Sequence, residues 1–349
     1  MKARSSLVTP VQTTDLPRIE DISRRRLISG ALASALLIAC GGDDEDEPAA
    51  ADSGADTTWH FEDDRGVSIT LPKRPERVVA QVTAAASLWN YGVRPIAVWG
   101  NQRNADGTPN VEVGNVDLDA VESVGEALGD FDLEKLAYLQ PDLIVSLYYS
   151  GDSVWFIQPD TIDRVTQIAP VAAIKVQNVP IDQPIERFAA LSALLGADPN
   201  SPTNRDARQS FERAVDDLKA AIAEKPGLKV MVVAGGESIL YVANPAVVTD
   251  LMYFKALGLD LVSPPVESFW ENLSWEQANR YPVDLILTDS RPSTLQPDQL
   301  MTKETWRALP AVQAGQVAPW PWKTYSHLSY TKALQDLTAI IRSARADIV

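Results

Sequence analysis

Histidine and cysteine are nearly missing from this chain. Its 349 residues hold two histidines, His60 and His327, and one cysteine, Cys40. Bare zinc or manganese sites draw on several imidazoles or thiolates, which argues against a free-metal binder. A single cysteine builds no disulfide framework, so the fold must rely on a packed core. Basic charge is also short, with 31 lysines and arginines against 47 aspartates and glutamates. Residues 1–39 carry 6 of the basic and 3 of the acidic groups, which leaves 25 against 44 beyond them. So acidic a chain repels polyanions, and nucleic acid is not an expected partner. Catalytic signatures are absent: no Gly-x-Ser-x-Gly elbow, no His-Glu-x-x-His and no glycine-rich phosphate loop. Only Gly235-Gly236-Glu237-Ser238 invites a hydrolase reading, through Ser238, His327 and an acid. That reading is kept as a remote alternative to a non-enzyme.

Long apolar runs are lacking too. The best, Leu27–Ala39, is 13 residues with two serines, short of the roughly 20 that span a bilayer. Its length suits the apolar segment of an export signal, with arginines before it and small residues after it. Ser23-Arg24-Arg25-Arg26-Leu27-Ile28 resembles the twin-arginine export motif, and Leu37-Ile38-Ala39-Cys40 resembles a bacterial lipobox. That resemblance implies that 1–39 is an export signal and that Cys40 carries lipid at the mature N-terminus. Gly41–Thr58 is acidic and small, with almost nothing to bury, so residues 40–58 read as a solvated tether.

The remainder is long enough for two domains with real cores. Arg77–Trp99 reads strand, helix, strand, and Leu133–Val145 reads helix, proline, strand, a grammar that calls for a parallel sheet. The second half repeats it. Lys255-Ala-Leu-Gly258 echoes Trp89-Asn-Tyr-Gly92, and Trp275–Leu287 echoes Leu133–Val145 down to a shared Asp-Leu-Ile. Between the halves, Ser201 can cap a helix that Pro202 starts. Ala207, Phe211, Ala214, Val215, Leu218 and Ile222 recur at helical spacing until Pro226-Gly227. The expectation is an α/β protein of two similar lobes with mostly parallel sheets: an N-terminal lobe over 59–200, a linking helix over 201–226 and a C-terminal lobe over 227–349. One stiff helix across both lobes limits hinging.

From Trp59 to Val349 the chain resembles the helical-backbone solute-binding proteins of ABC importers, the group that takes ferric siderophores, haem and vitamin B12. The resemblance rests on Ile69–Ala80, Val124–Val145, the linking helix and Thr305–Val317 (TWRALPAVQAGQV). It implies an extracytoplasmic lipoprotein on the outer face of the cytoplasmic membrane, working as a monomer with an ABC permease and its ATPase. Beyond lipid on Cys40, no covalent cofactor is implied.

Ligands of α/β sheets bind beyond the C-terminal strand ends, and here those ends are aromatic. Tyr148, Tyr149 and Trp155 follow one strand; Trp270, Trp322 and Tyr325 lie in later loops; Arg103 and Arg291 are the basic candidates. Trp and Tyr offer broad apolar surface with a polar tip, which suits a bulky chelate with an apolar rim. Trp89, Trp275 and Trp306 fall on expected helices and are assigned to the core. Glu126-Ala127-Leu128 carries no arginine where some siderophore binders place one, and converging basic groups are few. Both features favour neutral or cationic ferric hydroxamates over triply anionic catecholates. Haem, with Tyr148, Tyr149 or His327 as axial ligand, and cobalamin are the alternatives. Family members dock on the permease through one acid per lobe: Glu134 matches in the N-lobe, whereas Lys255 stands at the C-lobe position and Asp250 is the nearest substitute.

The lipobox reading is tested directly. Cys40→Ala should release the protein from the membrane fraction and leave ligand binding intact; unchanged membrane retention would refute it.

Overall fold

The computed structural model describes residues 58–126, 130–149 and 154–349. The expected signal, Cys40 and most of the tether therefore lie outside the described residues, as do Ala127 and Leu128. A β-hairpin comes first, β1 (Trp59–Glu62) with β2 (Ser68–Leu71). The N-lobe then runs β3 (Val78–Gln81), α1 (Val82–Asn90), β4 (Ala97–Trp99), β5 (Glu122–Ser123), α2 (Leu133–Leu139), β6 (Leu143–Tyr148), α3 (Ile162–Ile168), β7 (Val171–Lys175) and α4 (Asp182–Leu194). Its sheet has the order β5-β4-β3-β6-β7, parallel throughout. Parallel sheets are covered on both faces, and β3 obeys this: Val78 and Ala80 enter the central core, while Val79 enters an outer one with Trp99 and Leu136.

The linking helix is α5 (Pro202–Ala223), capped by the Ser201 hydroxyl, which accepts from Asn204 N–H at 3.2 Å. At 1.5 Å per residue it is about 33 Å long. The C-lobe follows as β8 (Lys229–Gly235), β9 (Ile239–Ala243), α6 (Thr249–Ala256), β10 (Asp260–Leu261), β11 (Trp270–Ser274), β12 (Leu285–Thr288), three one-turn helices α7 (Pro297–Leu300), α8 (Glu304–Arg307) and α9 (Pro310–Gln313), β13 (Val317–Pro319) and α10 (His327–Ser343). Its sheet is mixed. β10 and β12 pair with β8 in parallel and β13 with β12, while β8, β9 and β11 form an antiparallel meander. Gly235-Gly236 is where this lobe departs from the other, because the chain turns back there into β9. The expected second helix-proline-strand unit is also shortened: Trp275–Gln277 is a single 3-10 turn. The backbone before Pro282 is biased away from helix, and the Trp275 indole is held by the Gly236 and Glu237 carbonyls.

The sequence echoes have physical causes. In the N-lobe, Asp142 accepts from Glu76 and Arg77 N–H and donates its own N–H to Arg77 C=O. In the C-lobe, Asp284 accepts from Lys229 N–H and donates back to Lys229 C=O. Each aspartate thus ties the start of one central strand to the start of its neighbour. Gly92 and Gly258 close α1 and α6 with φ of 100° and 105°, a left-handed conformation that side chains resist.

The lobes are fastened together. α10 packs alongside α5 in the same direction: its start, His327, lies edge-on to Phe211, and its end, Arg342, reaches Glu224 at the end of α5. The start of α10 is anchored in the N-lobe, since Asn90 donates to the Ser326 and Ser329 hydroxyls and Ser87 accepts from Tyr325 N–H. A second seam joins Val176 C=O to the Thr249 hydroxyl at 2.5 Å and Asn178 N–H to Val247 C=O. One continuous apolar core runs through α1, α4, α5, α10 and β8. Two helices, not one, therefore bridge the lobes.

Leu218→Ala, at a fully buried site on α5, should cost about 2–5 kcal/mol in urea unfolding. Solution scattering should show little compaction on ligand binding; a large decrease in radius would contradict the two-helix brace.

Candidate functional site

A cleft that opens to solvent lies between the lobes. Its walls come from the C-terminal strand ends. On the N-lobe side these are Thr83, just after β3, Tyr149 and Trp155, beyond β6, and Val176, beyond β7, joined by Glu112. On the C-lobe side they are Arg291, beyond β12, and Trp320, Trp322 and Tyr325, beyond β13. Phe269, before β11, the start of α6 and Tyr330 of α10 complete that wall.

Five of the eight residues expected at the ligand are gathered here: Tyr149, Trp155, Trp322, Arg291 and Tyr325. Tyr149 and Trp155 sit 4.5 Å apart between ring centroids, and Trp322 meets Tyr325 edge-on. The other three stand outside the lining. Tyr148 still belongs to β6, where it pairs with Lys175 and bridges to Val154, so its side chain leaves on the opposite face from Tyr149. Trp270 begins β11 and packs behind the wall, on Phe269 and Trp320. Arg103 bonds Gly107 C=O and pairs loosely with the exposed Asp119. Trp306 is core, as expected, and Trp275 is buried; Trp89 is half-covered beneath Arg94.

Sequence reasoning missed Glu112, Thr83, and Asp250 as a cavity residue. Trp320 was legible as one of two tryptophans flanking Pro321. Glu112 carried no signal, because a single acid in a loop is ordinarily solvated. Asp250 is buried, accepts from the Trp320 indole at 2.8 Å and from Leu251 N–H, and faces the cavity. It is thereby withdrawn from the outer surface on which a permease would act. Lys255 on α6 is exposed and donates to Ser263, while Glu134 is exposed in the first turn of α2.

Burial sets the ionisation of the site. It pushes the Tyr149 hydroxyl up to about 12, helped by the Glu112 charge and opposed by Arg291. It raises Tyr325 well beyond the ordinary phenol range and lifts Asp250 to about 6 against the stabilising Trp320 hydrogen bond. Glu112 is raised for the same reason. Arg291 keeps its proton, because Asp289 receives its Nε at 3.0 and 2.9 Å and its Nη2 at 2.5 Å. His327 has both ring nitrogens engaged, by Tyr91 and Glu186, and lies outside the cavity. It is therefore not free to serve Ser238, which lies exposed at the β8–β9 turn, or to act as an axial haem ligand. Among the described residues no group of three or more His, Cys, Asp or Glu could hold a metal ion, and no helix is long and apolar enough to cross a membrane.

Comparison with known proteins gives a consistent picture. A family model described as periplasmic binding protein matches residues 86–324. The iron(3+)-hydroxamate-binding protein FhuD of Bacillus subtilis is 25% identical over 295 residues, 82% of this chain and 86% of that protein. Among solved structures, DesE, a ferric-siderophore receptor protein from Streptomyces coelicolor, is 35% identical with a TM-score of 0.78, covering 82% of this chain and 99% of that one. FhuD from Vibrio cholerae, bound to Fe3+-Desferal, is 19% identical with a TM-score of 0.56 over 76% and 98%, a likeness of fold alone.

Asp250 supplies a stability test. Its folded pKa of about 6 lies above the ordinary carboxyl value near 4, so the folded state binds the proton more tightly. The penalty is full above pH 6 and disappears as pH falls below about 4. Asp250→Asn keeps a carbonyl oxygen for the Trp320 indole. Its stability relative to the native protein should rise by on the order of 2 kcal/mol between pH 4 and pH 8 in urea unfolding. A pH-independent difference would refute the assignment.

Proposed function

The chain belongs to the periplasmic binding protein family, and we propose that it captures a ferric siderophore of the hydroxamate type outside the cytoplasm and delivers it to an ABC permease with its ATPase. The observation that carries this reading is the aromatic cavity between the lobes, in which Arg291 is the single cationic side chain among the described lining residues and is paired to Asp289. Three hydroxamates neutralise ferric iron, so their complex brings no net charge to the cleft. A tris-catecholate complex is triply anionic and needs several converging cations, which the described lining residues do not offer. Tyr149, Trp155, Trp322 and Tyr325 supply the apolar faces, with phenol hydroxyls that remain protonated at neutral pH and so donate hydrogen bonds to chelate oxygens. That protonation disfavours haem, which would require a tyrosinate as axial ligand. The ferric-siderophore receptor at 35% identity and the hydroxamate-binding relative support the same choice.

Capture proceeds with little closure, because both α5 and α10 brace the lobes. Glu134 is the N-lobe contact for the permease; the C-lobe contact is not Asp250, which is buried. Cys40 anchors the protein by lipid to the outer face of the cytoplasmic membrane after twin-arginine export, and the acidic tether gives the lobes reach. Two or more acyl chains make such an anchor stable.

Intrinsic tryptophan quenching tests the ligand. Ferric hydroxamates should give saturable quenching at the tightest affinity in a panel with catecholate complexes, haem and cobalamin. Trp322→Ala should weaken hydroxamate binding about tenfold or more, and Arg103→Ala should not. Absence of saturable quenching by any ferric chelate would overturn the assignment.

A further inference from the structure

Two described residues of the cleft lining, Glu112 and Tyr330, have a buried oxygen without a hydrogen-bond partner, and Glu112 is the one that carries a charge. It sits in the 3-10 turn Val111–Val113, started by Asn110, whose side chain accepts from Glu112 N–H at 3.0 Å. Asn101 donates to Oε1 at 3.1 Å. Oε2 is buried and has no hydrogen-bond partner. A buried carboxylate oxygen left this way is costly. The neighbouring Thr83 hydroxyl steadies the ion without closing a hydrogen bond to Oε2, and burial still raises the carboxyl's pKa. Arg291 is the cation across the cavity, and its attraction reaches Glu112. Its guanidinium, however, is already held side-on by Asp289 of its own lobe. Those two charges offset each other, and Asp250 adds negative character to the C-lobe wall. Of the two carboxylates in the described lining, Asp250 has both oxygens hydrogen-bonded, by Leu251 N–H and the Trp320 indole, and only Glu112 keeps an oxygen without a partner.

Resting on the hydroxamate reading above, we infer that Glu112 is a specificity-determining carboxylate, which receives a protonated amine carried by the ferric hydroxamate and selects cationic complexes over neutral ones. The iron centre of such a complex is neutral, so any net charge comes from its periphery. A primary amine there behaves like a lysine side chain and stays an ammonium at neutral pH. An ammonium has three donors and no acceptor, which complements a carboxylate oxygen that can only accept. Aromatic walls favour a charged over an uncharged periphery only modestly, through cation–π contact. In a water-poor cleft the charge pair is worth far more than at the surface. Glu112 is thus the group that distinguishes the two ligands, while Tyr149, Trp322 and their neighbours hold the common chelate.

The experiment compares two probes that share one chelate: ferrioxamine B, with its terminal amine, and its N-acetylated derivative, in which that amine is a neutral amide. Tryptophan quenching gives both dissociation constants for the native protein and for Glu112→Gln, which keeps the side-chain shape and the Asn101 contact. The native protein should prefer the amine by about tenfold or more, and the variant's preference should fall to within about twofold. Circular dichroism and urea unfolding verify that the variant is folded. A native preference that persists in Glu112→Gln overturns the role of Glu112, and equal binding of both probes by the native protein overturns the selection of cations. Either result leaves the hydroxamate reading standing. Failure of the native protein to bind either probe, or any other ferric hydroxamate, removes that reading and this inference together.

Discussion

The packing of α10 against α5 is the contact on which the cleft depends. α5 alone would join the lobes through one helix with a chain connection at each end, and the lobes could pivot about it. α10 runs alongside it in the same direction, with its first turn bound to α1 through Asn90 and Ser87 and its last turn beside the end of α5. A shared apolar core fills the space between, with Leu218, Leu334 and Leu337 fully buried. Bending the lobes would open that core to water, at a cost that grows with the apolar area exposed. The hydrogen bond from Thr249 to Val176 pins the seam nearest the cavity. The cavity walls are thereby set before any ligand arrives, and less ordering remains to oppose binding.

That pre-set shape explains the division of labour among the aromatics. Tyr149, Trp155 and Trp322 reach the cavity, while others stand behind them. Trp270 buttresses Phe269 and Trp320, and Phe188 stacks parallel to Tyr325 at 6.1 Å. A supported ring loses little freedom when a ligand meets it, and tryptophan and tyrosine give large contact areas for two torsions each. The same enclosure raises the stakes for charge. Tyr149, Tyr325, Glu112 and Asp250 are all pushed towards their neutral forms by one cause, loss of water. Arg291 stays ionised because Asp289 travels with it on the same loop.

Much of the fold was legible because it is locally encoded. Ser201 and Pro202 start α5 where a cap and a first-turn proline belong, and the apolar stripe from Ala207 to Leu218 is the buried face. The echoed Asp-Leu-Ile segments proved to be matching clamps at Asp142 and Asp284, and the echoed glycines to be matching helix ends at Gly92 and Gly258. The antiparallel half of the C-lobe sheet was not legible, since β9 and β11 resemble parallel strands until their partners are known. α10 was also passed over as a bridge, because an amphipathic helix does not state which surface it will cover.

Sequence alone determined the lobes, the linking helix and the aromatic, weakly basic character of the loops. Each depends on composition or on periodicity within a short segment. Tertiary structure decided which of those loop residues meet. Adjacent residues on a strand point to opposite faces, which separates Tyr149 from Tyr148. A hydrogen bond from Trp320 turns Asp250 inward, and a loop distant in sequence sets Glu112 opposite Arg291. The charge that a buried group retains depends on partners up to some two hundred residues away along the chain, and only the packed lobes bring those partners into range.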